Sequence, residues 1–184
     1  MLAHNVIILT SGRATAIATE AIDSLILALR KLKKNPILVL GPDGDDILRL
    51  SQQIENCEII FDPNYEGEIF SGIKAGLETT NAAAFICAIN EPILDPATWA
   101  DLERALFSED AKSVHVFSPL TQDSIPRYPQ LVTAHGVRLA KTLPALSCWA
   151  DLCTNGALRC TVVSMTPSSS LTSNAPAMDP ESHL

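Results

Sequence analysis

An α/β fold with a three-layer, mostly parallel sheet is what this sequence predicts, and three observations carry the prediction. Short apolar runs of strand length recur at residues 6–9, 37–40, 59–61 and 83–89. Segments with apolar residues at helical spacing separate them, and Gly, Pro, Asp and Asn crowd the junctions. Strands that alternate with amphipathic helices are joined by crossovers, which set successive strands parallel and place helices on both faces.

The elements follow in order. Val6-Ile7-Ile8-Leu9 is the first strand and runs into Thr10-Ser11-Gly12-Arg13. Ile22, Leu25, Ile26, Leu29 and Leu32 then mark a helix, with Thr15 or Thr19 as its expected cap and Lys33-Lys34-Asn35-Pro36 closing its last turn. Ile37-Leu38-Val39-Leu40 reads as a buried strand stopped by Gly41-Pro42-Asp43-Gly44, and Ile47, Leu48, Leu50 and Ile54 as a shorter helix. Ile59-Ile60-Phe61 is a third strand, Asp62-Pro63-Asn64-Tyr65 a turn, and Ile69, Phe70, Ile73 and Leu77 the buried face of a third helix.

Residues 83–89 form a fourth strand halted at Pro92, and Asp95-Pro96 starts a helix, since aspartate accepts at the cap and proline suits the first turn. Trp99, Leu102 and Leu106 are its inward residues. Residues 113–117 are a fifth strand, and the Pro-rich stretch 118–129 is long enough to be a functional loop. Leu146, Trp149 and Leu152 mark a helix ended by Asn155-Gly156, before a last strand over 159–165. The expected organisation is one α/β domain over 1–165 and a Ser/Pro-rich tail over 166–184, loosely ordered or wrapped on the body.

Composition narrows the function. With 47% apolar residues against 18% charged in 184 residues, the chain can bury the core of a single domain. A net charge of -8, with Asp43, Asp45 and Asp46 clustered, argues against nucleic-acid and membrane-surface partners. The five cysteines form no C-x-x-C pair and are odd in number, which reads as reduced thiols rather than a zinc site or disulfide framework. With no basic apolar leader and no apolar run of about 18 residues, a soluble, cytoplasmic protein is expected.

In such a sheet ligands bind at the carboxyl ends of the strands, where residues 10–13, 41–46 and 90–92 are expected to converge. A strand, a glycine turn and a helix leave outward N–H groups and a positive helix end, which attract phosphate. Thr10, Ser11 and Gly12 are the candidate donors and Arg13 the candidate cation, against the alternative of an ordinary turn with an exposed arginine. Charge is scarce there, for the next lysine is Lys31. Ser71, Gly72 and Gly76 allow close approach either of a ligand or of the helix to the sheet, and packing is the expected role. Tyr65, Tyr128 and Trp149 are expected to pack, His135 to be a surface or structural residue, and Cys148 and Cys153 not to share a helix face.

Three stretches carry a family likeness: Asp62-Pro63-Asn64-Tyr65-Glu66-Gly67, then Phe70-Ser71-Gly72-Ile73-Lys74-Ala75-Gly76-Leu77, then Cys87-Ala88-Ile89-Asn90-Glu91-Pro92-Ile93-Leu94. In motif order the whole chain resembles the MobA-like nucleotidyltransferases of molybdenum-cofactor maturation, the molybdopterin cytidylyl- and guanylyltransferases. The resemblance implies a Rossmann-like, nucleotide-diphospho-sugar transferase-like fold. It also implies transfer of a nucleotide monophosphate from CTP or GTP to a phosphorylated pterin, with magnesium bound and pyrophosphate released. Met178-Asp179-Pro180-Glu181 looks like the remains of the family's closing acidic motif.

The departures from that pattern remove charge. Ala16, Ala18 and Ala21 stand where the family has arginine, glycine and lysine, and Asn90 where it has the metal-binding aspartate. An amide is a poorer magnesium ligand than a carboxylate, and Glu91 beside it points to the other face of an extended chain. The resemblance therefore implies nucleotide contacts from Thr10, Ser11, Gly12, Arg13, Ser71 and Asn90, and metal contacts from Glu91 and Asp179. The expected role is binding of a nucleotide or molybdopterin-type molecule with transfer weakened or lost. The alternatives are an active CTP/GTP:molybdopterin nucleotidyltransferase and a structural partner of a molybdoenzyme or its maturation proteins.

Overall fold

Successive side chains of a strand face opposite ways, and that period of two sorts the core into two layers. The computed structural model describes residues 4–10, 16–42, 44–64, 69–89, 96–119, 128–145 and 147–164. Its strands are β1 (Asn5–Leu9), β2 (Asn35–Leu40), β3 (Glu58–Phe61), β4 (Ala84–Ala88), β5 (Val116–Pro119), β6 (Gln130–Val132) and β7 (Cys160–Val163). Its helices are α1 (Ala16–Lys31), α2 (Gly44–Leu50), α3 (Ile69–Glu78), α4 (Pro96–Ala105), α5 (Ala134–Thr142) and α6 (Trp149–Thr154).

The strands form one sheet in the order β3-β2-β1-β4-β6-β5-β7. All neighbours run parallel except β6, which is antiparallel to both β4 and β5. On one face, Val6, Ile8, Leu38, Leu40 and Phe85 pack against Ile22, Ile26 and Leu29 of α1 and Trp99 and Leu102 of α4. On the other, Ile7, Leu9, Val39 and Ile86 meet Phe70, Ile73 and Leu77 of α3, Val137 of α5 and Trp149 of α6. The three-layer, mostly parallel architecture read from the sequence is the one found. No described helix is long and apolar enough to cross a membrane.

Several local expectations are corrected. Thr19 lies inside α1 and does not cap it, while Thr15 falls outside the described residues. α1 ends by a left-handed residue instead: Lys33 has φ 57°, its N–H bonds to Arg30 O at 3.0 Å and the Lys34 N–H to Leu29 O at 2.9 Å. The expected second helix stops at Leu50, which is 55% exposed, and Ile54 opens a separate 3-10 turn. Leu106 lies one residue past the end of α4 yet packs on the core as expected, whereas Ile69 is 38% exposed.

The larger correction concerns residues 113–142. The fifth strand starts at Val116, its last residues Ser118 and Pro119 come from the stretch read as loop, and β6 and α5 follow where no element was expected. Gln130-Leu131-Val132 is too short to show a period, and α5 buries only Gly136, Val137 and Ala140. What starts α5 is a cap: the Thr133 hydroxyl accepts from Gly136 N at 3.0 Å and donates to Val114 O at 3.0 Å.

Two features fix the packing. Gly76 of α3 lies so close to β1 that a Cβ there would stand 2.5 Å from Ile7 Cγ2 and 2.9 Å from its Cγ1, so its role is packing, as the sequence implied. At the amino edge of the sheet, the fully buried Lys34 ammonium pairs with Glu103 of α4 and lies 5.3 Å from the centroid of Phe85. His4 joins this cluster, with Nδ1 3.3 Å from Ala83 O and Nε2 3.9 Å from Glu103 Oε1. Burial, then the Lys34 charge, hold its pKa below the ordinary 6.5, against the pull of Glu103.

Two predictions follow from this core. Gly76→Ala should destabilise the protein by about 1–3 kcal/mol in urea unfolding, because neither α3 nor the buried Ile7 has room to yield. Because the folded state binds the His4 proton less tightly than the unfolded one, its contribution is complete above about pH 6.5 and lost as pH falls below it. Urea midpoints between pH 7.5 and 5.5 should drop, and His4→Asn should shallow that drop.

Candidate functional site

Parallel pairing of β2, β1 and β4 brings their carboxyl ends to one edge, so Thr10, Gly41 and Ile89 lie together there. Between β1 and β4 the strand order reverses: the chain builds β2 and β3 to one side before β4 pairs on the other. Such a reversal opens a crevice above the sheet.

The described part of the rim is held by its own hydrogen bonds. Ile89 N–H bonds to Leu9 O at 3.3 Å and Asp62 N–H to Leu40 O at 2.9 Å, extending the ladders past the strands. Thr10 is buried and its hydroxyl donates to Val39 O at 3.0 Å, so that proton serves the sheet. Asp62, also buried, accepts from Ser71 Oγ at 2.5 Å and from Asn64 N at 3.0 Å, joining the end of β3 to the first turn of α3. The Ser71 proton is thereby committed to Asp62, and what Ser71 retains for a ligand is an acceptor lone pair.

The structure thus brings Thr10 and Ser71 to this edge. Ser11, Gly12, Arg13, Asn90, Glu91 and Asp179 lie outside the described residues, as does Tyr65. Ala16 and Ala18 stand at the start of α1 and Ala21 one turn on. The first turn of α1 has no acidic residue, so no side chain of that turn opposes its positive end. Among the described residues no group of three or more His, Cys, Asp or Glu could hold a metal. Asp62 is the one carboxylate among the rim residues named above, and both its oxygens are engaged. The described rim does not fit magnesium.

Sequence reasoning missed a second concavity, because it missed β6. A cavity of about 400 Å³ lies between α6 and strands β5, β6 and β7, with Ser118, Tyr128, Gln130, Trp149, Cys153 and Cys160 among its walls. Trp149 stacks on Phe70 at 5.6 Å between ring centroids, and its indole N–H donates to Gln130 Oε1 at 2.8 Å. Indole is a donor only, so the amide must present its oxygen to Trp149 and turn its NH₂ away. Gln130 pairs with Ile86, two residues short of the end of β4, which sets this cavity beside the crevice.

The histidines belong elsewhere. His115 and His135, 4.8 Å apart between ring centroids, flank the start of β5 and the end of β6, at the amino edge of the sheet. His115 Nδ1 accepts from Arg159 N at 2.8 Å, and burial, then His135 and Arg159, lower its pKa. Gly136 is required there, since a Cβ would stand 2.3 Å from His115 O. His135 is exposed at this remote edge, as expected of a surface residue.

Neither a protein-family model nor a curated protein sequence matches the chain. Solved structures do. Rv0371c from Mycobacterium tuberculosis H37Rv superimposes with a TM-score of 0.64 at 11% identity, over 91% of this chain and 90% of that one. A 4-diphosphocytidyl-2C-methyl-D-erythritol synthase from Anaerococcus prevotii gives 0.59 at 11% identity, over 89% and 88%. The inositol-1-phosphate CTP transferase from T. maritima gives 0.57 at 11% identity, over 88% and 85%. At such identities the likeness is one of fold: the chain shares the Rossmann-like α/β fold of these proteins along almost its whole length.

The Asp62 corner yields a prediction. Ser71→Ala leaves a buried carboxylate short of one donor, and should cost about 1–3 kcal/mol of stability. Hydrogen exchange should quicken at Asn64, whose N–H is held by the same carboxylate.

Proposed function

We propose that this protein binds a nucleoside triphosphate, CTP before GTP, at the crevice over β1, β2 and β4, and that its nucleotidyl transfer is weakened or lost. The observation that carries the reading is the reversal of strand order between β1 and β4, in a fold shared almost end to end with proteins named for CTP transfer and cytidylyl products. Backbone N–H groups of Ser11 and Gly12 and the positive end of α1 are the proposed phosphate cradle, with Arg13 as its cation. Thr10 supports that turn through Val39, Ser71 contributes an acceptor, and Asn90 contacts the sugar or phosphates. Glu91 and Asp179 are the carboxylates available to recruit magnesium.

Weak transfer follows from what the chain lacks. Stabilising the charge that develops on a transferring phosphoryl group takes fixed cations and metal, and alanines occupy positions 16, 18 and 21 while an amide occupies 90. For the acceptor side, the MobA-like motif order favours a phosphorylated, molybdopterin-type ring. The Trp149 and Gln130 cavity beside β4 supplies an apolar wall and an amide NH₂ for it. A second reading, a structural partner in molybdoenzyme maturation, is favoured by the β3 edge strand, where Ile59 and Phe61 are 38% and 51% exposed.

Calorimetric titration with CTP and GTP, with and without magnesium, separates these roles. Saturable CTP binding that persists in chelator, without pyrophosphate release, is expected. Binding that requires magnesium, with sustained pyrophosphate release, would make the protein an active transferase, and no binding would leave the partner role. Restoring charge with Asn90→Asp and Ala21→Lys together should tighten CTP binding in magnesium by about tenfold, or about 1.4 kcal/mol. An unchanged affinity in a folded double variant would refute the assignment of those two positions.

A further inference from the structure

Cys153 lies in the last turn of α6 and Cys160 opens β7, with residues 154–159 between them. That connection is tightly folded. Asn155 N–H bonds to Asp151 O at 2.8 Å, Leu158 N–H to Leu152 O at 2.7 Å, and the Asn155 side chain accepts from Ala157 N at 3.0 Å. Leu158 is fully buried and anchors the turn. The two cysteines pack on the same core and line the same cavity, on the two sides of the turn that the Leu158 to Leu152 hydrogen bond closes.

We propose that Cys153 and Cys160 form a dithiol site that reacts with low-molecular-weight disulfides to close a reversible bond between α6 and β7. The neighbouring Cys153 holds the Cys160 thiol below its ordinary range in spite of burial, and the neighbouring Cys160, with burial, holds Cys153 above it. Cys160 is thus the attacking thiolate. Its sulfur forms a bond to one sulfur of the small disulfide, whose S–S bond breaks and whose other half leaves as a thiolate. The Cys153 sulfur then gives up its proton to solvent and attacks the Cys160 sulfur of the mixed disulfide, releasing the second small thiolate. Two cysteine thiols are oxidised, one small disulfide is reduced to two thiols, and two protons pass to the products.

The other cysteines do not share this setting. Cys87 is buried, with its thiol pushed up by desolvation; Cys57 is pushed up to about 11 by burial and then by Asp23. Cys148 is exposed at the amino end of α6, at the opposite end of that helix from Cys153.

Oxidised glutathione is the probe, applied to the full native chain carrying Cys148→Ser. Trypsin cleaves after Lys141 and Arg159, so Cys153 and Cys160 fall on separate peptides, 142–159 and 160–184. The expected product is that peptide pair, linked and two hydrogens lighter than its parts, with Cys57 and Cys87 unmodified. Linkage should form about tenfold or more faster in the folded chain than in urea, because a held pair reacts as though concentrated. Adding Cys153→Ser should leave only a Cys160 adduct with glutathione, and Cys160→Ser should suppress reaction at Cys153. Separate glutathione adducts on both cysteines without linkage, or linkage no faster in the folded chain than in urea, would overturn the proposal.

Discussion

Burial of the first strand on both faces and along both edges is the constraint on which the rest of the molecule depends. Every residue of the run Val6-Ile7-Ile8-Leu9 is at 0% exposure, with parallel partners at its sides and helices above and below. A strand so enclosed can meet a ligand only at its ends, and in open α/β sheets a reversal of strand order marks the carboxyl end as the one that binds. The same enclosure explains Gly76, where α3 lies so near Ile7 that no side chain fits between them.

Buried charge is met differently at the two edges of the sheet. The sequence places its buried ion pair, Lys34 with Glu103, at the amino edge, where it ties α4 to the entry of β2 and lies over Phe85. At the carboxyl edge the buried carboxylate Asp62 is matched, among the described residues, by hydrogen-bond donors, Ser71 and the Asn64 N–H. On the proposed reading, a phosphate chain is held at that edge by dipoles and N–H groups rather than by fixed cations.

The reversed strand β6 gives the second half of the sheet its character. By pairing antiparallel between β4 and β5, it places Gln130 beside the end of β4 and Thr133 at the opposite edge, where Thr133 caps α5. The amide of Gln130 meets the indole of Trp149, and α6 is thereby set over β5 and β7 with a cavity beneath it. Cys153 and Cys160 come together as a consequence of that placement and of the folded turn at Leu158.

Much of this was legible in the sequence, because local patterns record which face of an element is buried. The runs at β1, β2 and β4 and the spacing of Ile22, Leu25, Ile26 and Leu29 announce a parallel sheet with helices, and strand direction alone puts Thr10, Gly41 and Ile89 at one edge. β6 and α5 were hidden, since three strand residues hold too little pattern and α5 depends on a threonine cap and a glycine close to His115 O. The commitment of the Ser71 proton to Asp62 and the meeting of Cys153 with Cys160 were likewise decided only in three dimensions. Periodicity reports burial along one element, whereas hydrogen-bond partners and thiol neighbours depend on how separate elements are placed, which packing of the whole chain determines.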